Sequence, residues 1–170
     1  AMLVSLGVMK RRSQTMNVTL SIDAMGGDNA PTKVIAGLDR VAGAFPEARF
    51  LLFGRESELT PLLKRFERVQ AASDIRHTEW VVDNATKPSA ALRSGQGTSM
   101  RWAIEAVKAG EAQGVVSAGN TGALMAMAKH ILKTLPGIDR PAIAGVGPTI
   151  RGKTVMLDLG VNVDCHADNL

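Results

Sequence analysis

Aromatic residues and cysteine are the scarcest side chains of this 170-residue chain. Aromatic residues make up 4%, with two Trp, four Phe and no Tyr. A module that reads single-stranded nucleic acid by stacking bases on rings needs more of them, so the composition argues against that class. The single cysteine, Cys165, excludes an internal disulfide framework and a multi-cysteine zinc site. One cysteine is typical of a protein in a reducing cytoplasm.

The first residues of the sequence do not have the pattern expected of a secretory signal or a membrane span. Residues 1–9 are mildly apolar, but the charges follow this stretch, whereas a secretory signal has them first. The stretch is also shorter than the roughly 20 residues that cross a bilayer. A strand pattern begins after Met16. We therefore interpret residues 1–15 as an N-terminal extension or a remnant of cloning.

The chain also lacks a strong charge of one sign in its main part. The net charge is +4, from 20 basic and 16 acidic residues. Three of the basic residues, Lys10, Arg11 and Arg12, precede Met16, which leaves 17 basic and 16 acidic residues from Asn17 onward. Because that part is nearly neutral, binding of a polyanion such as nucleic acid is not its expected role.

What the chain does have is enough apolar side chain for a core, at 45% of all residues. Apolar and polar residues alternate around Leu20 and Ile22, the period expected of a strand, and helical periods follow. The predicted strands cover residues 18–22, 49–54, 77–82, 114–117, 142–146 and 154–159. One predicted helix begins at Pro31, and three more cover residues 56–68, 98–109 and 120–135. This order predicts an α/β fold with a mostly parallel sheet and helices on both faces, without an internal domain boundary.

The first candidate site is the loop of residues 23–31, whose sequence is DAMGGDNAP. Adjacent glycines allow a sharp turn that exposes N–H groups, and a helix N-terminus follows. Asp28 or Asn29 is placed to cap that helix. An anion such as phosphate would fit, but a structural turn between strand and helix explains the loop equally well. The predicted binding residues are Asp23, Gly26, Gly27 and Asn29, with Asp28 as a catalytic candidate.

The second candidate is residues 117–123, SAGNTGA, again between a buried strand and a helix. Small residues and free N–H groups meet here at a helix start, which favours an anion site. A well-capped helix is the alternative, although it does not explain so many small polar residues. The predicted binding residues are Ser117, Gly119, Thr121 and Gly122, with Asn120 as a catalytic candidate.

The third candidate is residues 157–164, LDLGVNVD. Asp158, Asn162 and Asp164 could accept hydrogen bonds from a substrate or bind a hard cation. Each could also be a turn former. Ligands of parallel α/β folds bind beyond the carboxyl ends of the strands, so we expect the three loops to meet in one crevice.

One further segment matches a phosphate-loop motif letter for letter. Residues 147–154, GPTIRGKT, fit the pattern GxxxxGKT. That motif requires a strand before it and a helix after it, whereas Lys153 leads into a strand-like sequence. We therefore predict a turn between two strands and no nucleotide site at this segment.

Several segments resemble the PlsX family of bacterial phosphate acyltransferases. The matching segments are SIDAMGGDNAP (21–31), KPSAALRSGQGTSM (87–100), VVSAGNTGALMA (115–126), LKTLPGIDRPAIA (132–144) and VMLDLGVNVDC (155–165). They span most of the chain after Met16. Family members are about twice as long, so residues 16–170 resemble the N-terminal part of a single acyltransferase domain. Val161 replaces the usual Ala, and residues 94–97 are less basic than usual.

The resemblance implies transfer of a fatty acyl group from acyl-carrier protein to inorganic phosphate, giving an acyl phosphate for phospholipid synthesis. It implies a Rossmann-like αβα sandwich related to the isocitrate and isopropylmalate dehydrogenases. It also implies a cytoplasmic homodimer that touches the inner face of the membrane. Separately from the resemblance, we expect no cofactor, no metal site and no nucleic-acid partner.

The reaction suits these residues, because phosphate is itself a nucleophile and needs only a binding site and oxyanion donors. N–H groups near Gly26, Gly27, Asn120 and Thr121 suit both tasks. The acidic residues of the three loops would orient donors or relay a proton. Two alternatives stay open at this point: a non-catalytic anion-binding fragment, and a dehydrogenase of the related fold. The absence of a GxGxxG fingerprint weakens the second.

Overall fold

A computed structural model describes residues 2–5, 17–138 and 141–157 of the chain. It has two compact units, Ala1–Leu132 and Lys133–Leu170. The sequence contains no linker-like segment at that boundary. Each unit is described by itself below.

A five-stranded sheet forms the centre of the first unit. Its strands are β1 (Met2–Ser5), β2 (Thr19–Asp23), β3 (Arg49–Gly54), β4 (Ser73–His77) and β5 (Gly114–Ser117). The order across the sheet is β1-β5-β2-β3-β4, and all neighbours are parallel except β1, which pairs antiparallel with β5. The segment interpreted as an N-terminal extension therefore contributes an edge strand, which the sequence did not predict.

Six helices cover the two faces of this sheet within the described residues. They are α1 (Thr32–Ala44), α2 (Glu56–Leu63), α3 (Glu67–Ala71), α4 (Pro88–Ser94), α5 (Ser99–Lys108) and α6 (Thr121–Leu132). β3 is buried on both sides, as its continuous apolar run predicts: Phe50 and Leu52 pack with α1, α2 and α3, whereas Leu51 and Phe53 pack with α4, α5 and α6. The αβα architecture is thereby confirmed.

Four sequence expectations were wrong in detail. The helix predicted over 56–68 is two helices, because Arg65 N–H and Phe66 N–H bond to carbonyls three residues back and close the first. The third strand is Ser73–His77 rather than 77–82, since it is a polar edge strand without a clear apolar period. The fourth helix stops at Leu132, followed by Lys133 at φ 69°. Neither Asp28 nor Asn29 caps α1; the capping residue is Pro31, without a side-chain hydrogen bond.

The second unit contains an antiparallel hairpin of β6 (Ala144–Thr149) and β7 (Gly152–Leu157). It includes the segment that matches the phosphate-loop motif. Lys153 lies within β7, paired with Pro148, and its side chain is exposed. The predicted turn between two strands is confirmed, with the chain reversing at Ile150 and Arg151.

Candidate anion-binding site at the strand ends

The strand order reverses at β2 and β5, which is where a ligand crevice is expected. From β2 the chain continues to β3 and β4 on one side, and then returns to place β5 on the other side of β2. In parallel α/β sheets, such a reversal leaves an open crevice beyond the carboxyl ends of the two strands, where ligands bind. The loop of residues 23–31, here called loop 1, leaves β2 at this point. The loop of residues 117–123, loop 2, leaves β5 beside it.

Loops 1 and 2 approach each other so closely that only glycine fits at the contact. Gly27 has φ +103°, and a Cβ on it would lie 2.9 Å from the carbonyl oxygen of Ala118. A Cβ on Gly119 would lie 3.3 Å from the Cα of Gly26. A positive φ is strained for any residue with a side chain. These glycines therefore let two backbones meet at the mouth of the crevice.

Asn120 caps α6 and ties loop 2 to a third segment. Its Oδ1 accepts a hydrogen bond from the N–H of Ala123 at 2.9 Å, as an N-cap does. Its Nδ2 donates to the carbonyl oxygens of Asn84 and Thr86, both at 2.8 Å. All the hydrogen-bonding groups of this side chain are thereby used. Its backbone N–H has no partner among the described residues.

The third segment, residues 83–87, is the part of the site that the sequence analysis missed. Asn84 also donates from Nδ2 to the Oδ1 of Asp28 at 2.7 Å, so one asparagine links loop 1 to the segment that Asn120 holds. The segment leads into α4, whose Pro88 packs against Gly122; a Cβ on Gly122 would lie 2.8 Å from its Cγ. The available signal was a polar DNATKP run before a helix, which alone indicates only a turn.

Asp23 lies beneath loop 1 and is almost completely buried, with 1% of its surface exposed. Its carboxylate accepts hydrogen bonds from Ser99 Oγ at 2.6 Å and Ser117 Oγ at 2.7 Å. Burial raises the pKa of Asp23 above its ordinary value, and the hydrogen bonds from the two serines, with the nearby backbone of Met25 and Gly26, oppose that rise. No cation pairs with Asp23 among the described residues.

Several backbone donors remain available at the crevice. The N–H groups of Gly27, Asp28, Thr121 and Gly122 have no hydrogen-bond partner among the described residues. Thr121 and Gly122 are the first residues of α6, whose dipole favours a negative charge at that end. Unpartnered N–H groups on two adjoining loops, beside a helix start, are a suitable environment for a phosphate-sized anion.

The structure brings two of the three predicted loops together. Exposed side chains at the crevice are those of Asp28, Asn29 and Thr121, whereas Asp23 and Ser117 are buried and bonded to each other. Gly26, Gly27, Gly119 and Gly122 form the loop contacts described above. Asp158, Asn162 and Asp164 lie outside the described residues, so their part in the crevice stays a prediction.

Neither a metal-ligand cluster nor a membrane-spanning helix occurs in the described ranges. No group of three or more His, Cys, Asp or Glu side chains there could hold a metal ion. None of the helices α1 to α6 is long and apolar enough to cross a bilayer.

Comparison with known proteins identifies relatives along most of the chain. Residues 18–170 match the model of a family described as fatty acid synthesis protein. The phosphate acyltransferase of Paramagnetospirillum magneticum is 56% identical over 153 residues, 90% of this chain and 44% of the relative. That of Rhodospirillum centenum is 57% identical over 151 residues, 89% of this chain and 42% of the relative. That of Rhodospirillum rubrum is 56% identical over 154 residues, which are 91% of this chain and 44% of the relative.

These similarities confirm the resemblance inferred from the sequence motifs. The chain spans less than half the length of these three curated relatives.

Proposed function

Because this chain belongs to the fatty acid synthesis protein family, we propose that it is part of an enzyme that transfers a fatty acyl group from acyl-carrier protein to inorganic phosphate. The products are an acyl phosphate and the free carrier protein. The support from the comparisons is that the similar proteins are named phosphate acyltransferases.

The observation that carries the proposal is the meeting of loops 1 and 2 at the strand ends. Gly27 and Ala118 bring two backbones into contact, and the N–H groups of Gly27, Asp28, Thr121 and Gly122 are without partners among the described residues. Phosphate at this point accepts hydrogen bonds from backbone groups that the fold already fixes in place. Preorganised donors of this kind lower a barrier without reorganisation during the reaction.

The chemistry requires no nucleophilic side chain. A phosphate oxygen attacks the carbonyl carbon of the thioester, and a C–O bond forms as a tetrahedral oxyanion develops. The C–S bond then breaks, and the sulfur leaves as a thiolate that takes up a proton. The crevice has two tasks: to hold phosphate in line with the carbonyl and to stabilise the oxyanion. No redox cofactor takes part in this scheme.

The side chains divide into two roles under this proposal. Asp28 is exposed at the mouth of the crevice and accepts a hydrogen bond from Asn84, so it can orient a donor there. Asp28, Asp158 and Asp164 would orient donors or relay a proton to the leaving thiol, and Asn162 would accept a hydrogen bond from the substrate. Asn120 acts through position, because its amide group already holds α6 and the Asn84 and Thr86 carbonyls.

Three partners belong to the same proposal. The acyl group arrives on acyl-carrier protein, the active form is a homodimer, and the enzyme touches the cytoplasmic membrane surface where the acyl phosphate is used. The support for these partners is the family resemblance carried by the sequence motifs.

The proposal is tested by measuring phosphate-dependent release of carrier-protein thiol from acyl-carrier protein. The protein at the full length of its relatives should release the thiol only when phosphate is present, and acyl phosphate should accumulate in equal amount. In that protein, Asn120→Ala and Asp158→Ala should each lower the rate well beyond a few-fold. Release that is independent of phosphate, or absent altogether, would refute the proposed function.

A second candidate function is phosphate binding without turnover, which the N–H groups of loops 1 and 2 that have no partner among the described residues support by themselves. The 170-residue chain would then bind phosphate, as measured by calorimetry, but release no thiol in the assay above. Assaying it beside the longer protein separates the two functions.

A further inference from the structure

Asp23 is the buried titratable group that the reaction scheme does not use. It is the last residue of β2. Its carboxylate accepts hydrogen bonds from the start of α5 and the end of β5, and the backbone of loop 1 lies directly over it. A carboxylate at 1% exposure is costly to bury unless several hydrogen bonds compensate it. Its position is therefore held by all three segments at once.

The two serine contacts of Asp23 differ in what lies beyond them. Ser99 is the first residue of α5, so that contact fixes the start of a helix. Ser117 also accepts a hydrogen bond through its Oγ from the N–H of Gly119, at 3.0 Å. This second chain of hydrogen bonds continues from Asp23 into loop 2, and Gly119 is the residue that packs against Gly26 of loop 1.

Direct contact between Asp23 and phosphate conflicts with this geometry. Both carboxylate oxygens are occupied, and a Cβ on Gly26 would collide with Asp23 Oδ2, so loop 1 lies directly over the carboxylate. Two negative groups in contact would also repel each other.

We propose that Asp23 is a positioning residue that sets the geometry of the anion-binding crevice through Ser117 and Gly119. It holds the backbone of loop 2 in register with loop 1, and the N–H groups of these loops bind the phosphate. The inference rests on the proposed function, because the reaction it supports is the phosphate-dependent transfer described above.

The test compares four serine and aspartate variants in the protein at the full length of its relatives. Ser117→Ala removes the hydrogen bonds that connect Asp23 to Gly119 of loop 2. We expect it to lower kcat/KM for phosphate by about tenfold to a hundredfold, because the binding groups are then misplaced. Ser99→Ala leaves those hydrogen bonds in place and should lower kcat/KM for phosphate by less. Asp23→Asn should lower kcat/KM for phosphate by at least as much as Ser117→Ala does. The double variant with both substitutions should have the same kcat/KM as Asp23→Asn, because both residues act through the same series of hydrogen bonds.

Ser21→Ala is the matched control. Ser21 lies on β2, is fully buried and donates from its Oγ to the carbonyl oxygen of Ala103 at 2.6 Å. The Ser21→Ala variant therefore loses a buried serine hydrogen bond that does not involve Asp23, Ser117 or Gly119. We expect a loss of thermal stability similar to that of Ser117→Ala, with kcat/KM unchanged.

Phosphate binding gives a readout that does not depend on turnover. Calorimetry should detect weaker phosphate binding in Ser117→Ala and unchanged binding in Ser21→Ala. Equal kcat/KM and equal phosphate affinity in these two variants would overturn the inference even if Asp23→Asn fails to fold. A wild-type protein that binds phosphate but does not transfer the acyl group refutes the proposed function instead, and leaves the binding comparison decisive for Asp23.

Discussion

Two glycine-containing segments of this chain invite the same interpretation from sequence but differ in structure. Residues 147–154 match a phosphate-loop motif completely, yet they lie in the β6–β7 hairpin, where Lys153 is followed directly by further strand residues. Loop 1 matches no such motif, yet it follows a parallel strand, precedes α1 and meets loop 2 at the carboxyl end of the sheet. An anion site depends on how backbone N–H groups are presented, and the flanking elements decide that.

Gly27→Ala tests the contact between loops 1 and 2 and has the largest expected effect on stability and phosphate binding. The new Cβ would require a strained positive φ and would lie 2.9 Å from the Ala118 carbonyl oxygen, a backbone atom that cannot move freely. We expect the free energy of unfolding to fall by about 2 kcal/mol, with phosphate binding lost. Denaturant unfolding and calorimetry measure the two effects.

Gly37→Ala is the control for that variant. Gly37 lies inside α1, is exposed and has no atom within 4 Å of an added Cβ. Alanine there should raise the free energy of unfolding by about 0.5–1 kcal/mol, because glycine is a poor helix former. A loss at Gly37 equal to the loss at Gly27 would contradict the view that the loop contact is specific.

Asn120→Ala has the next largest expected effect, because it removes three hydrogen bonds at the start of α6. We expect a loss of about 1–2 kcal/mol in the free energy of unfolding, the usual cost of a helix cap with an added tether. Asn120→Asp separates the two contributions, since it keeps the capping oxygen but loses the donors to Asn84 and Thr86. If Asn120→Asp has the same free energy of unfolding as Asn120→Ala, the hydrogen bonds to Asn84 and Thr86, rather than the helix cap, stabilise loop 2.

The sequence was sufficient for the elements that surround the crevice. β3 is a continuous apolar run, and β5 is a short apolar strand followed by small residues, so both were predicted within their observed bounds. Thr98 caps α5 by accepting a hydrogen bond from Arg101 N–H, and a threonine directly before a helical period is a common sequence signal for such a cap. Such features are local, and local propensity and periodicity report them directly.

The links between the loops could not be predicted, because they join residues far apart in the chain. Asn84 and Asp28 are separated by 56 positions, and Ser117 and Asp23 by 94. A polar residue in a turn has the same appearance in the sequence whether it faces solvent or bonds to another loop. For the same reason Asp23 was predicted to bind substrate, although the structure buries it.

Asp23 also makes the stability of the unit that contains loop 1 depend on pH. Its pKa is raised by burial, so as the pH rises above 3.8, its ordinary value, the unfolded chain loses the proton before the folded chain does. The stability that this group contributes at low pH is therefore lost as the pH rises through its folded pKa. Asp23→Asn removes this dependence.

Urea unfolding of the wild-type protein and Asp23→Asn, measured from about pH 3.5 to 7, checks this. The difference in free energy of unfolding should move in favour of the variant as the pH rises, and the other carboxylates cancel in the comparison. A difference that is constant with pH, or that moves in favour of the wild type, would show that hydrogen bonding outweighs burial at Asp23.

Lys153→Ala has the smallest expected effect and tests the other half of the comparison. In a true phosphate loop this lysine reaches the phosphates, and its removal abolishes nucleotide binding. Here Lys153 is an exposed strand residue paired with Pro148, so the free energy of unfolding should change by no more than about 0.5 kcal/mol. Phosphate affinity should be that of the wild type in the same calorimetric assay in which Gly27→Ala loses binding. Loss of phosphate or nucleotide binding in Lys153→Ala would mean that the motif, and not its flanking elements, determines the anion site.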